Sequence, residues 1–209
     1  MKKGIILNFK QLKLLDYVLI NKIFIILCAF FIAGIIIGSL LYDDSNFLMQ
    51  NTKVFFDSFI KTHTNNRLFS RFFICCIKYI LVLVLYFLSG ASMLGVAITP
   101  FITIWQGIII GSVTSYLYSS YNLYGIAFNA IVFIPPLCIF TVCSFFAAKQ
   151  SIDLSLSIAR LTLPKSRPVN LYVIFKNYSI KYLVFIGIIL LCVIIEIILN
   201  VLFLKFFNF

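Results

Sequence analysis

Two charges stand inside otherwise apolar stretches of the chain, Lys78 and Glu196. An ionised side chain in hydrocarbon is costly, so such residues pair with one another or serve a function. Their chemistry would be an ion pair joining two helices or, for the acid, a proton relay. A relay needs further acids or histidines within the apolar stretches, and the sequence places none there, which favours the pair. A third chemical feature is Pro135-Pro136. Two missing N–H groups leave carbonyls one turn earlier, near Ile131 and Val132, without helical donors. In hydrocarbon those groups need neighbouring helices, water or side chains such as Asn129 and Thr141. A packed kink is the preferred reading, and a broken helix lining a transport cavity the alternative. Pro100 falls within the first turns of its apolar run, where a proline is easier to accommodate.

Other reactive residue types are present without the spacing their chemistry requires. Cys28, Cys75, Cys76, Cys138, Cys143 and Cys192 all fall in apolar runs, with neither C-x-x-C spacing nor a nearby histidine, and read as small apolar fillers. The single histidine, His63, lies in a polar stretch, THTNNR. None of the common hydrolase, metalloprotease or nucleotide-binding motifs occurs. No catalytic residue, metal site or cofactor is therefore expected.

The elements that would hold these residues follow from composition. Of 209 residues, 63% are hydrophobic and 11% charged, with mean hydropathy +1.11, beyond what a water-soluble fold of this size could bury. A spanning helix needs about 20 mostly apolar residues. Five runs qualify, 23–42, 72–91, 95–118, 124–148 and 182–204, giving an all-α polytopic membrane bundle forming one domain over 1–209. Lipid-facing strands would alternate in polarity, and these runs do not. The first run is too long for a cleaved signal and no A-x-A site follows it.

Seventeen Lys and Arg against six acids give a net charge of +11. The basic residues cluster between spans, which fits anionic headgroups and membrane orientation rather than nucleic acid. The N-terminal tail and the basic segment 149–181 together carry eleven positive charges, and the other side five, Lys53, Lys61, Arg67, Arg71 and Lys205. The N-terminus is thus expected inside and the C-terminus outside. On that map Lys78 lies about 9 Å and Glu196 about 14 Å from the outer ends of their spans, within reach of each other.

Segment 43–71, facing outward, spaces Leu48, Phe55, Phe56, Phe59 and Ile60 like an amphipathic interfacial helix. The tail 5–19 reads as a further surface helix, and 149–163 as a continuation of the fourth span until Pro164 and Pro168 end it. The string GIIIG occurs at Gly34–Gly38 and again at Gly107–Gly111. Small residues four apart let helix backbones approach closely, within one chain or, as the alternative, between subunits of a homo-oligomer. Tyr116, Tyr118, Tyr121 and Tyr124 crowd one turn, as an interfacial aromatic belt does.

The stretch from SGASMLGVAITPF through IAFNAIVFIPPLCIF resembles the stage II sporulation protein M family. Gly107, Gly111, Gly125 and Pro135 match positions of that family, and Ile195-Glu196 matches its I-E motif in the last span. The chain departs from the family's polar pattern at the fourth span, with Tyr124 in place of a histidine and Phe128-Asn129 where an acid is found. The resemblance implies a non-enzymatic scaffold in the bacterial cytoplasmic membrane. Its partners would be extracytoplasmic hydrolases that remodel peptidoglycan, as in forespore engulfment during sporulation. The outward segment, with Phe55 and Phe59, and the tyrosine turn would be the contact surfaces. The alternative is a transport or channel component built around Asn129, Pro135 and Glu196.

Overall fold

The computed structural model describes residues 8–40, 68–161 and 171–203. Among them all the regular elements are helices: α1 Asn8–Leu40, α2 Leu68–Gly90, α3 Gly95–Phe128, a π-helical segment Asn129–Phe133, α4 Ile134–Leu161 and α5 Leu171–Phe203. Segment 43–67, with Phe55 and Phe59, and the Pro164 and Pro168 break lie outside the described residues.

α1 and α5 have 33 residues each, about 50 Å of helix against a hydrocarbon core of about 30 Å. The expected surface helix before the first span is therefore corrected: residues 8–22 continue α1 without interruption. The last helix likewise begins at Leu171, eleven residues before the expected span. Neither extension contains glycine or proline, so nothing in the sequence stops the helix at the membrane surface.

Among the described residues four stretches are long and apolar enough to cross a membrane, and one of them, Gly95–Ala159, has 65 residues. Straight, it would measure about 98 Å. It is folded in two. Asn122, at φ 50° and ψ −131°, is the one described non-glycine residue with positive φ, and the chain reverses there. Across the reversal Asn129 Nδ2 donates to Thr114 Oγ1 at 3.2 Å, and Gln106 Nε2 to Ser144 Oγ at 3.1 Å. Five apolar arms result.

Each arm runs opposite to its predecessor. Tyr86 meets Thr103 and Ser89 meets Thr99 between α2 and the outgoing arm of α3, while Cys192 meets Pro136 and Tyr182 meets Ala147 between α4 and α5. α1 runs parallel to the outgoing arm, because Gly34 lies against Ile104 and Gly107 and Gly38 lies against Ile108. The two GIIIG strings thus pack against each other within one chain. A Cβ on Gly34 would collide with the Ile104 carbonyl, and one on Gly107 would stand 3.0 Å from Gly34 Cα. Lipid gives apolar helices no net reason to associate, so close backbone contact and interhelical hydrogen bonds carry the packing. The main core joins α2, α4 and α5 through Tyr79, Leu83, Phe140, Ile189 and Val193. A smaller one, Tyr116, Leu117, Phe128, Val132 and Phe133, fills the space beneath the reversal.

Candidate functional site

Polar side chains inside the bundle form a seam. Thr99, Thr103 and Gln106 fall on one face of α3, at i, i+4 and i+7, and all three are buried. Ser89 Oγ lies 3.2 Å from Thr99 Oγ1, and Tyr86 Oη lies 3.0 Å from Thr103 Oγ1 and 3.4 Å from Gln106 Oε1. The Gln106 amide then reaches Ser144 on α4. Thr99 and Thr103 also donate to carbonyls one turn back, at 2.6 and 3.0 Å, a local bond that lets a hydroxyl sit in an apolar helix.

At the end of the bundle where α2 turns into α3, the seam closes into a knot. Side-chain hydroxyls reinforce carbonyls of the last turn of α2, where Phe87 O also accepts from Ala91 N at 3.2 Å. Here Tyr178 Oη donates to the Phe87 carbonyl at 3.0 Å, and Ser151 Oγ to the Tyr86 carbonyl at 2.6 Å. Ser151 also lies 2.7 Å from the Tyr182 hydroxyl, and Tyr182 Oη donates to the Ala147 carbonyl at 3.0 Å. Ser155 ties in the connecting turn, donating to Met93 O at 3.1 Å and accepting from Val96 N at 3.3 Å. The Phe87 and Tyr178 rings stack at 5.0 Å. Beside the knot α4 and α5 diverge around a cavity of about 260 Å³ lined by Gln150, Asp153, Ser157, Asn177 and Lys181, among others. Lys181 Nζ donates to Gln150 Oε1 there at 2.8 Å.

Towards the reversal lies Glu196, 2% exposed. Tyr79 and Cys75 of α2 lie beside its carboxyl group. Lys78 is half-buried with its ammonium 5.4 Å from the centre of the Tyr79 ring, and the charges of Lys78 and Glu196 both act on the Cys75 thiol. Lys78 and Glu196, picked out in the sequence, therefore both stand near Cys75. Asn200, one turn further along α5 and 1% exposed, donates from Nδ2 to the Glu196 backbone carbonyl at 2.8 Å.

The double proline is absorbed by the π-helical segment, in which the Ile134 N–H reaches back five residues to the Asn129 carbonyl. Pro136 is buried, and its carbonyl accepts from Cys192 Sγ at 3.0 Å. Asn129 turns its amide to Thr114 across the hairpin rather than to the freed carbonyls of its own helix. Pro100 is half-buried one turn into α3.

The tyrosine turn divides. Tyr118 and Tyr124 are 58% and 77% exposed. Tyr116 is 4% exposed, packed with Leu117 and Phe128, and Tyr121 packs partly against the same cluster, so Tyr116 is corrected from a surface contact to a core residue. Its position, six residues before the reversal, points it into the hairpin. The cysteines also do more than fill space: besides Cys192, Cys143 Sγ approaches the Phe185 carbonyl at 3.9 Å. Sequence reasoning passed over Tyr86, Gln106, Ser144, Ser151, Tyr182 and Asn200. The available signal was the helical spacing of single polar residues in apolar runs, Thr99-Thr103-Gln106 and Glu196-Asn200.

A family model described as Stage II sporulation protein M matches residues 24–202. No curated protein and no solved structure matches the chain.

Proposed function

The chain belongs to the stage II sporulation protein M family, and from that premise we propose that it is a non-enzymatic membrane scaffold for peptidoglycan-remodelling hydrolases. The observation that carries this reading is the seam. Its hydroxyl and amide groups are spent on one another and on helix carbonyls, as in Tyr86–Thr103, Gln106–Ser144 and Ser151–Tyr182, which locks α2, α3, α4 and α5 together. A transport pathway needs polar groups facing a water-filled passage and a bundle that rearranges. A scaffold needs a rigid body that presents a fixed surface.

The alternating direction of the five arms supports a topology with the termini on opposite sides, the N-terminus in the cytoplasm by the distribution of Lys and Arg. The reversal then faces outward and presents Tyr118 and Tyr124, which are exposed and amphipathic, to extracytoplasmic partners and headgroups. Photocrosslinking amino acids placed at Tyr118 and Tyr124 in native membranes test this. Crosslinks to wall hydrolases are the expected product. Labelling of lipid alone from both sites, with hydrolases absent from the purified complex, would contradict the scaffold reading.

A further inference from the structure

Glu196 and Asn200 lie one turn apart on α5, both almost fully buried, and each keeps one oxygen without a hydrogen-bond donor, Oε2 of the acid and Oδ1 of the amide. The amide N–H of Asn200 is already given to the Glu196 backbone carbonyl. Tyr79 and Cys75 of α2 stand beside the carboxyl group, and neither donates to Oε2. The π-helical segment packs against α5. The Cys192–Pro136 contact fixes the antiparallel register, which sets Val132 across from Glu196 one turn further on. Pro135 and Pro136 offer no N–H to the carbonyls of Ile131 and Val132. Buried acceptors of this kind are costly unless something supplies positive charge or donors.

The geometry points to a site for a monovalent alkali cation, with Glu196 Oε2 and Asn200 Oδ1 as its side-chain ligands and the carbonyls to which Pro135 and Pro136 supply no N–H as its backbone ligands. Oxygen-only ligation suits a hard cation, and carbonyls freed at a helix break are a recurrent means of holding one inside a membrane. A single carboxylate matches a single positive charge. Divalent ions call for more: calcium takes six to eight oxygens, and magnesium keeps several waters. The groups facing Glu196 from α2 are Cys75, Lys78 and Tyr79, and Cys192 stands beside it on α5 with Cys143 of α4 behind. Lys78, with its Nζ 5.4 Å from the centre of the Tyr79 ring, is the basic residue among these, and a lysine beside the site disfavours a bound cation. The site lies seven residues from the end of α5 at Phe203, about 10 Å along the helix. It is separate from the exposed tyrosines of the scaffold reading and stands or falls independently of it.

The test is thermal unfolding of the full chain in detergent at fixed pH, in sodium, potassium or choline chloride at equal ionic strength. The expected result is a saturable rise in Tm with sodium or potassium over choline, lost in Glu196→Gln and in Asn200→Leu. Lys78→Met is expected to bring the rise to lower cation concentration by removing the opposing charge. Wild-type protein alone suffices if a variant does not fold, because bound sodium also broadens its own NMR resonance and an excess of potassium displaces it. Equal Tm in all three salts, or a Tm that follows pH and ignores the cation, overturns the proposal, as does a Lys78→Met midpoint no lower than that of the wild type.

Discussion

Asn129 and Thr114 are fifteen positions apart in an almost unbroken helical run, yet the amide of one donates to the hydroxyl of the other at 3.2 Å. That bond exists only because the chain turns back at Asn122, and the same turn brings Gln106 to Ser144. An L-residue at φ 50° outside the left-handed helical basin carries strain of about 1–3 kcal/mol. Asn122→Val is expected to destabilise by an amount in that range, and Asn122→Gly not to destabilise at all. Thermal melts of the two variants in the same detergent check this; equal losses would mean the turn is not strained.

The contact between the two GIIIG strings makes a second expectation. Alanine at Gly34 or at Gly107 puts a methyl group against backbone of the facing helix, at the Ile104 and Phe31 carbonyls respectively. Each single substitution should lower Tm. The double variant should cost less than the sum, since once the helices have moved apart the second methyl group finds room. Strict additivity in a double-mutant cycle would show that the glycines do not face each other.

Removing the Gln106 side chain should weaken the seam modestly. Interhelical hydrogen bonds in membranes average about 0.6 kcal/mol and reach about 1.7. Gln106→Leu with Ser144→Ala, compared in a double-mutant cycle, should give a coupling energy within that span, read from unfolding in a mixed detergent titration. Zero coupling would contradict the observed bond.

The tyrosines of the turn should separate by burial. Tyr116→Ala should cost about 3–5 kcal/mol, as large-to-small changes of buried aromatics do. Tyr118→Ala and Tyr124→Ala should leave Tm unchanged and instead reduce recovery of partner proteins. Equal thermal effects at all three positions would contradict the division.

Much of this was legible in the sequence because membrane helices announce themselves by length. Five apolar runs of about twenty residues, and glycines four apart in GIIIG, needed no knowledge of the neighbours to be read. The hairpin was expected between 118 and 124, but its pivot is an asparagine, so no glycine marked the residue. Helix ends were less legible: nothing between Asn8 and Ile23, or between Leu171 and Tyr182, breaks a helix, so the membrane surface leaves no mark there. The seam was the hardest to see. Ser144 or Ser151 alone in an apolar run is chemically mute, and its meaning comes from what faces it, Gln106 in one case and Tyr182 in the other. Tyr116 was misplaced for the same reason, since a belt and a core use the same ring.

The central claim is that five arms alternate through the membrane, with the N-terminus in the cytoplasm and the reversal at Asn122 outside. The most direct measurement is a pair of reporters: alkaline phosphatase, active only outside, fused after Phe209, and green fluorescent protein, fluorescent only inside, fused before Met1. The predicted result is an active phosphatase and a fluorescent N-terminus. Both termini reporting from the same side would contradict the topology, and with it the outward presentation of Tyr118 and Tyr124.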